Sequence, residues 1–304
     1  MLKIALIIGY GSIGRRHAEI LDSMDEIKKV VIYSSQHNLP YETIESLEEI
    51  IDLDPYLIVV ASETSLHYKQ LMFLENNVKE KKILVEKPLY ESYKNPEIKN
   101  NEVFVGYNLR FHPVLDLIKE KISNKKLWNI QVYCGSYLPD WRQNLDYRES
   151  SSAKKKAGGG VLLDLSHELD YVQWLVGSIF VQYVVSQKVS NLEIETDDLL
   201  LLSGKTKQEA YLQISLNYFS KNPHRQIIID GEKISLKADL INNTLLVNEN
   251  GEISNYDFKN LQRNETYEKQ HKALIKSDLK SICTYKEGLK TMKLINNIRD
   301  YNNN

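Results

Sequence analysis

The sequence lacks several features that would place it in other classes of protein. Its 304 residues include only two cysteines, Cys134 and Cys283, and neither lies in the C-x-x-C spacing of a metal or redox site. We therefore expect reduced thiols in a cytoplasmic protein and no bound metal. No apolar run approaches the ~18 residues that cross a bilayer. The apolar stretch at the N-terminus breaks at once into glycines and arginines, which is not typical of a signal peptide.

The sequence also lacks an excess of charge of either sign. Lysine and arginine number 39, and aspartate and glutamate number 41, so the formal net charge is −2. Nucleic-acid-binding proteins carry basic clusters, and the one notable basic run here, at residues 154–156, is better interpreted as a solvated loop. We expect neither a nucleic-acid nor a membrane partner. The hydrophobic fraction of 42% and the chain length favour two domains, each with its own core.

The first 106 residues alternate between strand-like and helix-like segments. The predicted strands are 3–8, 30–33, 57–61, 82–85 and 103–107, and the predicted helices are 14–24 and 66–76. Strands that alternate with helices form right-handed crossovers and a parallel sheet, and strands this apolar are covered on both faces. We predict a doubly wound α/β domain over residues 1–120.

After residue 127 the pattern changes to longer segments of alternating polarity. The predicted strands are 128–137, 181–189, 199–205, 210–219, 226–230, 233–238 and 244–247, and the helices are 113–122, 161–176 and 289–298. Long sequential strands with a period of two favour an open, mostly antiparallel mixed sheet. We predict an α+β domain over residues 121–304.

A glycine-rich turn follows the first predicted strand and opens a helix. It reads Gly9-Tyr10-Gly11-Ser12-Ile13-Gly14. The first glycine permits a tight turn, the second lets the backbone approach a pyrophosphate, and the third lets helix and strand pack closely. The turn therefore predicts a dinucleotide site formed by Gly9, Gly11, Ser12, Ile13 and Gly14.

The ends of the next two strands supply further candidate cofactor contacts. After the second strand, NAD enzymes carry an acid for the ribose hydroxyls, but this chain has Ser34 and Ser35 and no acid there. Either serine could bind NAD or NADP, so we predict NAD(P). Ser62 and Thr64 follow the third strand as candidate cofactor contacts. His67 begins the next helix, where capping or packing is as good an interpretation as cofactor binding.

The fourth strand ends in Glu86-Lys87-Pro88. The proline favours an extended backbone at Lys87. A lysine at this edge could reach a substrate hydroxyl beside the nicotinamide and exchange a proton with it, and Glu86 is a candidate cofactor contact. The alternative is a surface lysine ahead of a turn, and the spacing alone does not separate the two.

A second motif runs from three glycines, 158–160, into a predicted helix. Asp164, His167, Glu168 and Tyr171 are spaced as one polar face of a helix that is otherwise apolar. Such a face must meet water, a partner or a ligand. His167 is the natural acid or base at neutral pH, and the alternative is a solvated outer face.

These motifs are part of an ordered pattern that resembles the Gfo/Idh/MocA family of NAD(P)-dependent oxidoreductases. Further matching segments are Asp54-Pro55, Thr64 to His67, Leu84-Val85-Glu86-Lys87-Pro88-Leu89, Gly106-Tyr107-Asn108-Leu109-Arg110-Phe111-His112-Pro113, Asp170, Trp174-Leu175 with Gly177, and Glu287-Gly288-Leu289. The resemblance implies a Rossmann domain followed by an α/β domain whose open sheet forms oligomer contacts. It implies that Lys87 and His167 act on a substrate hydroxyl while hydride moves to or from nicotinamide.

Three positions depart from the family pattern. The family's usual acid lies four residues before the histidine, where this chain has Leu163, and Asp164 lies three before it. We take Asp164 as a substitute catalytic residue. Glu63 stands where the family commonly has a proline, and the acid after the second strand is missing.

Candidate substrate contacts come from two segments. The resemblance extends to residues 137–148, typical of a branch that accompanies surface-sugar synthesis; there Trp141 could stack on a sugar, and Arg142 and Arg148 could hold a carboxylate or phosphate. A purely structural Trp–Arg pair is an equal alternative. The matching segment at 106–113 adds Tyr107, Asn108 and Arg110. Arg225 matches a branch feature of unknown role.

The sequence thus predicts a cytoplasmic, homo-oligomeric, NAD(P)-dependent dehydrogenase or reductase that acts on a sugar, a sugar acid or a nucleotide sugar. One alternative is an NAD-dependent glycoside hydrolase of the same fold. Another is a non-catalytic cofactor-binding protein, which would need neither Lys87 nor His167.

Overall fold

The computed structural model describes residues 3–142 and 145–301, which form two compact units. The first unit contains the chain up to Phe111 together with Gln262–Met292. The second contains His112–Leu261 together with the residues from Lys293 onward. The chain therefore leaves the first unit, builds most of the second, and returns. The sequence predicts a cofactor-binding domain over residues 1–120 and a substrate-binding domain over residues 121–304. This division by function stays a prediction.

The first unit is built on a seven-stranded sheet. Its strands are β1 (Lys3–Ile8), β2 (Ile27–Tyr33), β3 (Glu42–Ile44), β4 (Leu57–Val60), β5 (Lys82–Val85), β6 (Glu102–Val105) and β15 (Cys283–Thr284). The order is β15-β6-β5-β4-β1-β2-β3, parallel throughout except for β15. All residues of β4 are buried, as expected for a strand covered on both faces. The predicted doubly wound parallel sheet is confirmed.

The helices of the first unit include two, α2 (Ile50–Leu53) and α7 (Glu265–Lys276), that the sequence pattern did not predict. The helices are α1 (Ser12–Asp22), α2 (Ile50–Leu53), α3 (Thr64–Asn77), α7 (Glu265–Lys276) and the first part of α8 (Tyr285–Tyr301). Helix α7 was missed because its buried face is partly polar: Thr266, Gln270 and His271 lie inside with Leu274. Such a face gives no clear apolar stripe at helical spacing.

The second unit is built on an eight-stranded sheet. Its strands are β7 (Leu127–Gly135), β8 (Ile179–Gln187), β9 (Leu199–Thr206), β10 (Tyr211–Asn217), β11 (His224–Gly231), β12 (Ile234–Asp239), β13 (Thr244–Glu249) and β14 (Glu252–Asp257). The order is β14-β13-β12-β11-β7-β10-β9-β8, and only the β7–β10 pair is parallel. The predicted mostly antiparallel mixed sheet is confirmed, although edge strand β14 was not predicted because nearly all of it is exposed.

One face of this second sheet is covered and the other is open. Helices α4 (Pro113–Lys121), α5 (Val161–Asp164) and α6 (Ser166–Val176) belong to this unit, and α5 packs against β9 and β10. On the open face, the strand registers align exposed apolar side chains. These are Phe180, Tyr183, Leu201, Tyr211, Leu246 and Ile253. Four of them lie together on β8–β10, and Leu246 and Ile253 lie on β13 and β14 at the other edge. An exposed apolar group of this kind is typical of an interaction surface.

The predicted continuous helix over residues 161–176 is in fact two helices. Leu165 has φ −96° and ψ 27°, so α5 ends before it and α6 begins after it. Asp164 and His167 therefore sit on different helices, and their three-residue spacing does not place them on one helical face. No helix in the described part of the chain is long and apolar enough to cross a membrane.

Candidate active site

In the turn after β1, close packing against the sheet requires glycine at positions 9 and 14. Gly9 has φ +94°, and a Cβ there would lie 2.6 Å from Ser62 Cα. A Cβ on Gly14 would lie 2.0 Å from the Gly9 carbonyl oxygen. Around Gly11, in contrast, a Cβ would meet no described atom within 4 Å. The turn is therefore tight where it meets the sheet and open where a ligand would approach.

Helix α1 begins at this turn with backbone N–H groups directed outward. Among the residues that the structure describes, no side chain caps the helix at Gly11, and its first turn holds no acid. A helix N-terminus of this kind attracts phosphate. The strand order reverses at β1 and β4, which is where open α/β sheets bind ligands. The segment from Gly9 through Ser12 and Ile13 to Gly14 thus fits a dinucleotide pyrophosphate.

The loop after β2 is tied to the glycine turn by a glutamine that the sequence interpretation passed over. Gln36 Nε2 donates to the Tyr10 carbonyl oxygen at 3.1 Å. The Gln36 backbone N–H donates to Ser34 Oγ at 3.2 Å. Ser35 is exposed. This loop lies beside the cofactor turn, which is the position required of ribose-binding residues.

His67 lies inside the first unit and joins the ends of two strands. Its Nδ1 is 3.1 Å from the Pro88 carbonyl oxygen, and its Nε2 is 3.1 Å from that of Ser62. Burial lowers the pKa of His67. Because both ring nitrogens face backbone carbonyls, His67 is not part of the cofactor site that we propose. Ser62 Oγ donates to Gln70 Oε1 at 2.6 Å, and Thr64 is half-buried at the start of α3.

Two charged residues follow β5, and the first, Glu86, is buried more deeply than the second, Lys87. Glu86 is buried; its Oε1 lies 2.9 Å from His17 Nε2, and its Oε2 accepts the Lys87 backbone N–H at 3.1 Å. Lys87 is half-buried, and the Lys87–Pro88 peptide bond is cis. Both carboxylate oxygens of Glu86 are thus engaged by the protein. A direct contact between Glu86 and the cofactor stays a prediction.

The glycines at positions 159 and 160 lie where two other loops, at residues 151–152 and at Asp197, approach the backbone closely. A Cβ on Gly159 would lie 2.2 Å from the Ser151 carbonyl oxygen, and one on Gly160 would lie 2.3 Å from Asp197 Oδ1. Asp197 Oδ2 accepts the Leu162 backbone N–H at 3.0 Å, and burial raises the pKa of Asp197. Asp197, which the sequence interpretation missed, therefore fixes the start of α5.

Asp164 and His167 are half-buried in the second unit. The Tyr218 hydroxyl donates to Asp164 Oδ2 at 2.5 Å. Burial, and then the charge of Asp164, raises the pKa of Tyr218 well above its usual value, so the phenol keeps its proton and remains a donor. Tyr218 is on the covered side of the sheet, and no spacing in the sequence connects it with Asp164.

Glu168 and Tyr171 are fully buried, so the solvated outer face considered for this segment is wrong for both of them. Arg225 Nε on β11 donates to Glu168 Oε1 at 2.6 Å. This gives Arg225, whose role the sequence did not indicate, a structural partner beside His167. The buried ion pair joins α6 to the sheet.

The loop that carries Trp141 forms a crevice of about 230 Å³. Trp141 Nε1 donates to Ser136 Oγ at 2.8 Å, and Arg142 lines the same crevice. The Arg148 guanidinium lies against two carboxylates, 2.7 Å from Asp146 and 3.1 Å from Glu193. A substrate contact by Arg148 stays a prediction.

The three candidates from residues 106–113 are buried in the first unit. Asn108 Nδ2 donates to Thr266 Oγ1 at 2.7 Å. Arg110 is 2% exposed and forms an ion pair of 3.0 Å with Glu287. Burial would raise the pKa of Glu287, but the charge of Arg110 and hydrogen bonds from the Thr284 backbone and side chain hold it below its usual value. The contacts with Thr266 and Glu287 give Asn108 and Arg110 structural roles. Substrate contacts by Tyr107, Asn108 and Arg110 stay predictions.

Two family models match the chain in succession. One, described as the NAD-binding Rossmann fold of an oxidoreductase family, matches residues 3–97. The other, described as the C-terminal alpha/beta domain of the same family, matches residues 119–300. The chain belongs to the Gfo/Idh/MocA family. Its first unit contains the NAD-binding Rossmann fold of that family.

Individual Gfo/Idh/MocA-like proteins resemble the chain more distantly. The 2,7-anhydro-N-acetylneuraminate hydratase of Escherichia coli (strain K12) is 24% identical over 254 residues, 77% of this chain and 67% of that protein. Levoglucosan dehydrogenase in complex with NADH has a TM-score of 0.83 at 16% identity, covering 99% of this chain and 97% of that one. The WlbA dehydrogenase from Bordetella pertussis, in complex with NADH and UDP-GlcNAcA, has a TM-score of 0.78 at 17% identity, covering 100% and 97%. These structural matches show the shared fold.

Proposed function

We propose that this Gfo/Idh/MocA oxidoreductase transfers hydride between NAD(P) and a hydroxyl- or carbonyl-bearing carbon of a sugar, sugar acid or nucleotide sugar. The observation that carries the proposal is the open glycine turn at Gly11 together with Lys87 at the end of a nearby parallel strand. Two of the similar structures are described as sugar or nucleotide-sugar dehydrogenases, levoglucosan dehydrogenase and WlbA.

The chain's own residues divide the work of cofactor binding and proton transfer. The backbone from Gly9 to Gly14 binds the pyrophosphate, and Ser34 and Ser35 contact the ribose. When bound, the nicotinamide supplies hydride acceptance or donation. Lys87 donates a hydrogen bond to the substrate oxygen and shares its proton. His167 is the principal acid or base and takes the proton of a hydroxyl that is oxidised.

Asp164 is a catalytic auxiliary in this proposal. Its carboxylate accepts the Tyr218 hydroxyl, and in this proposal Asp164 orients His167 or a substrate hydroxyl. Arg142, with Trp141 beside it, would hold an anionic group of the substrate at the crevice.

We also propose that the open face of the second sheet binds a second copy of the chain. Tyr183, Tyr211 and Ile253 are each more than half exposed on that face, at 58%, 60% and 71%. Sedimentation velocity would test this, and replacement of Tyr211 by lysine should shift the protein toward a monomer.

A substrate screen tests the proposed reaction. The protein would be incubated with NAD⁺ or NADP⁺ and a panel of sugars, uronic acids and nucleotide sugars, and the absorbance of reduced nicotinamide followed. Lys87→Met and His167→Asn should each lower turnover by ~100- to 10,000-fold while NADH still binds. Full turnover in either variant would exclude the assigned role.

A second candidate function is elimination or hydration without net redox change. The observation that favours it is the similarity to a protein named as a hydratase. A glycoside hydrolase that reduces NAD only transiently would behave in the same way. Product formation from an anhydro-sugar or glycoside without accumulation of NADH would support this function, and stoichiometric NADH would support the dehydrogenase. A non-catalytic protein would show NADH binding alone.

A further inference from the structure

Three buried titratable side chains form a continuous hydrogen-bonded chain in the first unit. His271 Nε2 on α7 lies 2.7 Å from His17 Nδ1 on α1. His17 Nε2 lies 2.9 Å from Glu86 Oε1 at the end of β5. His17 and His271 are completely buried. Burial of polar side chains costs free energy unless their polar atoms are paired, so a buried series of three such side chains requires an explanation.

The direction of the hydrogen bonds follows from the acceptor at one end. A carboxylate only accepts, so His17 donates from Nε2 to Glu86, and in its neutral form it accepts at Nδ1. His271 must then donate from Nε2, which leaves its Nδ1 bare. In agreement, Nδ1 of His271 has no hydrogen-bond partner among the described residues. Burial, and then His17, lowers the pKa of His271 well below its usual value, which keeps it neutral.

The hydrogen-bonded series from His271 through His17 to Glu86 ends at Lys87, the residue proposed to act on the substrate. The second oxygen of Glu86 accepts the backbone N–H of Lys87 at 3.1 Å. The carboxylate has little freedom to turn, because a Cβ on Gly106 would lie only 2.5 Å from its Oε1. The orientation of Glu86, and with it the backbone at Lys87, therefore depends on the histidine that holds Glu86.

Helix α7 is fixed to the other end of the same strand. The Lys82 ammonium, at the start of β5, donates to the Leu274 carbonyl oxygen and to Ser277 Oγ, each at 2.6 Å. A cation at the C-terminus of a helix is favourable. Helix α7 thus braces β5 at two points, through Lys82 at one end and through His271 at the other.

We propose that His17 and His271 are positioning residues that orient the Glu86–Lys87 turn from α1, the helix whose N-terminus meets the cofactor. The inference rests on the proposed function of Lys87. It gives α7, a helix absent from the sequence prediction, a role in setting the catalytic lysine. Neither histidine touches the substrate or the cofactor in this proposal.

A pair of His271 variants tests the proposal. In H271Q the amide nitrogen can replace Nε2 as the donor to His17, whereas H271L removes the donor. A displacement of about 1 Å at a catalytic group can cost ~100-fold, so turnover in H271L should fall ~10- to 100-fold. NADH affinity, measured by fluorescence titration, should stay within about threefold. H271Q should recover most of the lost turnover, and equal losses in both variants would overturn the proposal.

A double-variant cycle with Lys87→Met separates positioning from general destabilisation. If His271 acts through Lys87, the H271L/K87M protein should turn over no more slowly than K87M alone. Losses that multiply would show that His271 has a structural role only. Undiminished turnover in K87M would overturn the proposed function itself, a result distinguishable from a failure of the His271 inference.

A readout that needs no substrate completes the test. Lysines would be reductively methylated with ¹³C-formaldehyde, and the Lys87 resonance assigned by its absence in Lys87→Arg. Its chemical shift and titration midpoint should change in H271L and return in H271Q. An unchanged Lys87 resonance in folded H271L, as judged by circular dichroism, would contradict the positioning role.

Discussion

Acidic pH should destabilise the first unit through its buried neutral histidines. His67 and His271 are buried with lowered pKa values, so below about pH 6.5 the unfolded chain binds protons that the folded one excludes. Stability therefore falls as the pH falls through that value and is retained above it. The groups facing His271 are His17 and, beyond it, Glu86, together with Tyr267, whose ring lies edge-on to His17.

The magnitude follows from proton linkage. Each excluded proton contributes a loss of at most about 1.4 kcal/mol between about pH 7.5 and 5.5, so the two histidines together contribute at most about 2.7 kcal/mol. Urea unfolding at the two pH values, followed by circular dichroism, measures this loss. H271Q should lose about 1.4 kcal/mol less than the wild type over the same interval. The same pH dependence in H271Q and in the wild type would refute the reasoning.

Three further predictions concern the cofactor turn and the second unit. Gly11→Val should abolish NADH binding without unfolding the chain, because the space around Gly11 is open; unchanged fluorescence titration would contradict this. NADPH should be tolerated, with NADH bound less than ~1,000-fold (about 4 kcal/mol) more tightly in the same titration. Arg225→Met should lower the free energy of unfolding by about 3–5 kcal/mol, since it leaves Glu168 buried and unpaired. Arg225→Lys should cost clearly less in the same denaturation experiment.

The sequence was sufficient where structure follows from local pattern. The strand at Lys3–Ile8 and the glycine turn after it were predicted with their bounds, because apolar runs and glycine spacing are local signals. The parallel character of the first sheet followed from alternation alone, and the mixed character of the second followed from strands with a period of two.

What the sequence did not reveal depends on partners that are distant along the chain. His17 and His271 are 254 positions apart, and Glu168 and Arg225 are 57 apart, so no periodicity relates them. For the same reason, the sequence does not indicate that Arg148 pairs with Glu193, 45 residues away. The predicted helix over residues 161–176 failed for a different reason: its apolar pattern continues across Leu165, where the backbone leaves the helical conformation.

The return of the chain to the first unit after residue 261 has a consequence for its biosynthesis. Strand β15 and helix α7 come from Gln262–Met292, so the first unit lacks an edge strand and a bracing helix until those residues have been made. Domains commonly fold one after another as they leave the ribosome, but here the N-terminal sheet must wait for residues 262–292, which follow most of the second unit. A nascent chain arrested before residue 262 should remain protease-sensitive in its first hundred residues, and the full-length chain should gain protection of both units together.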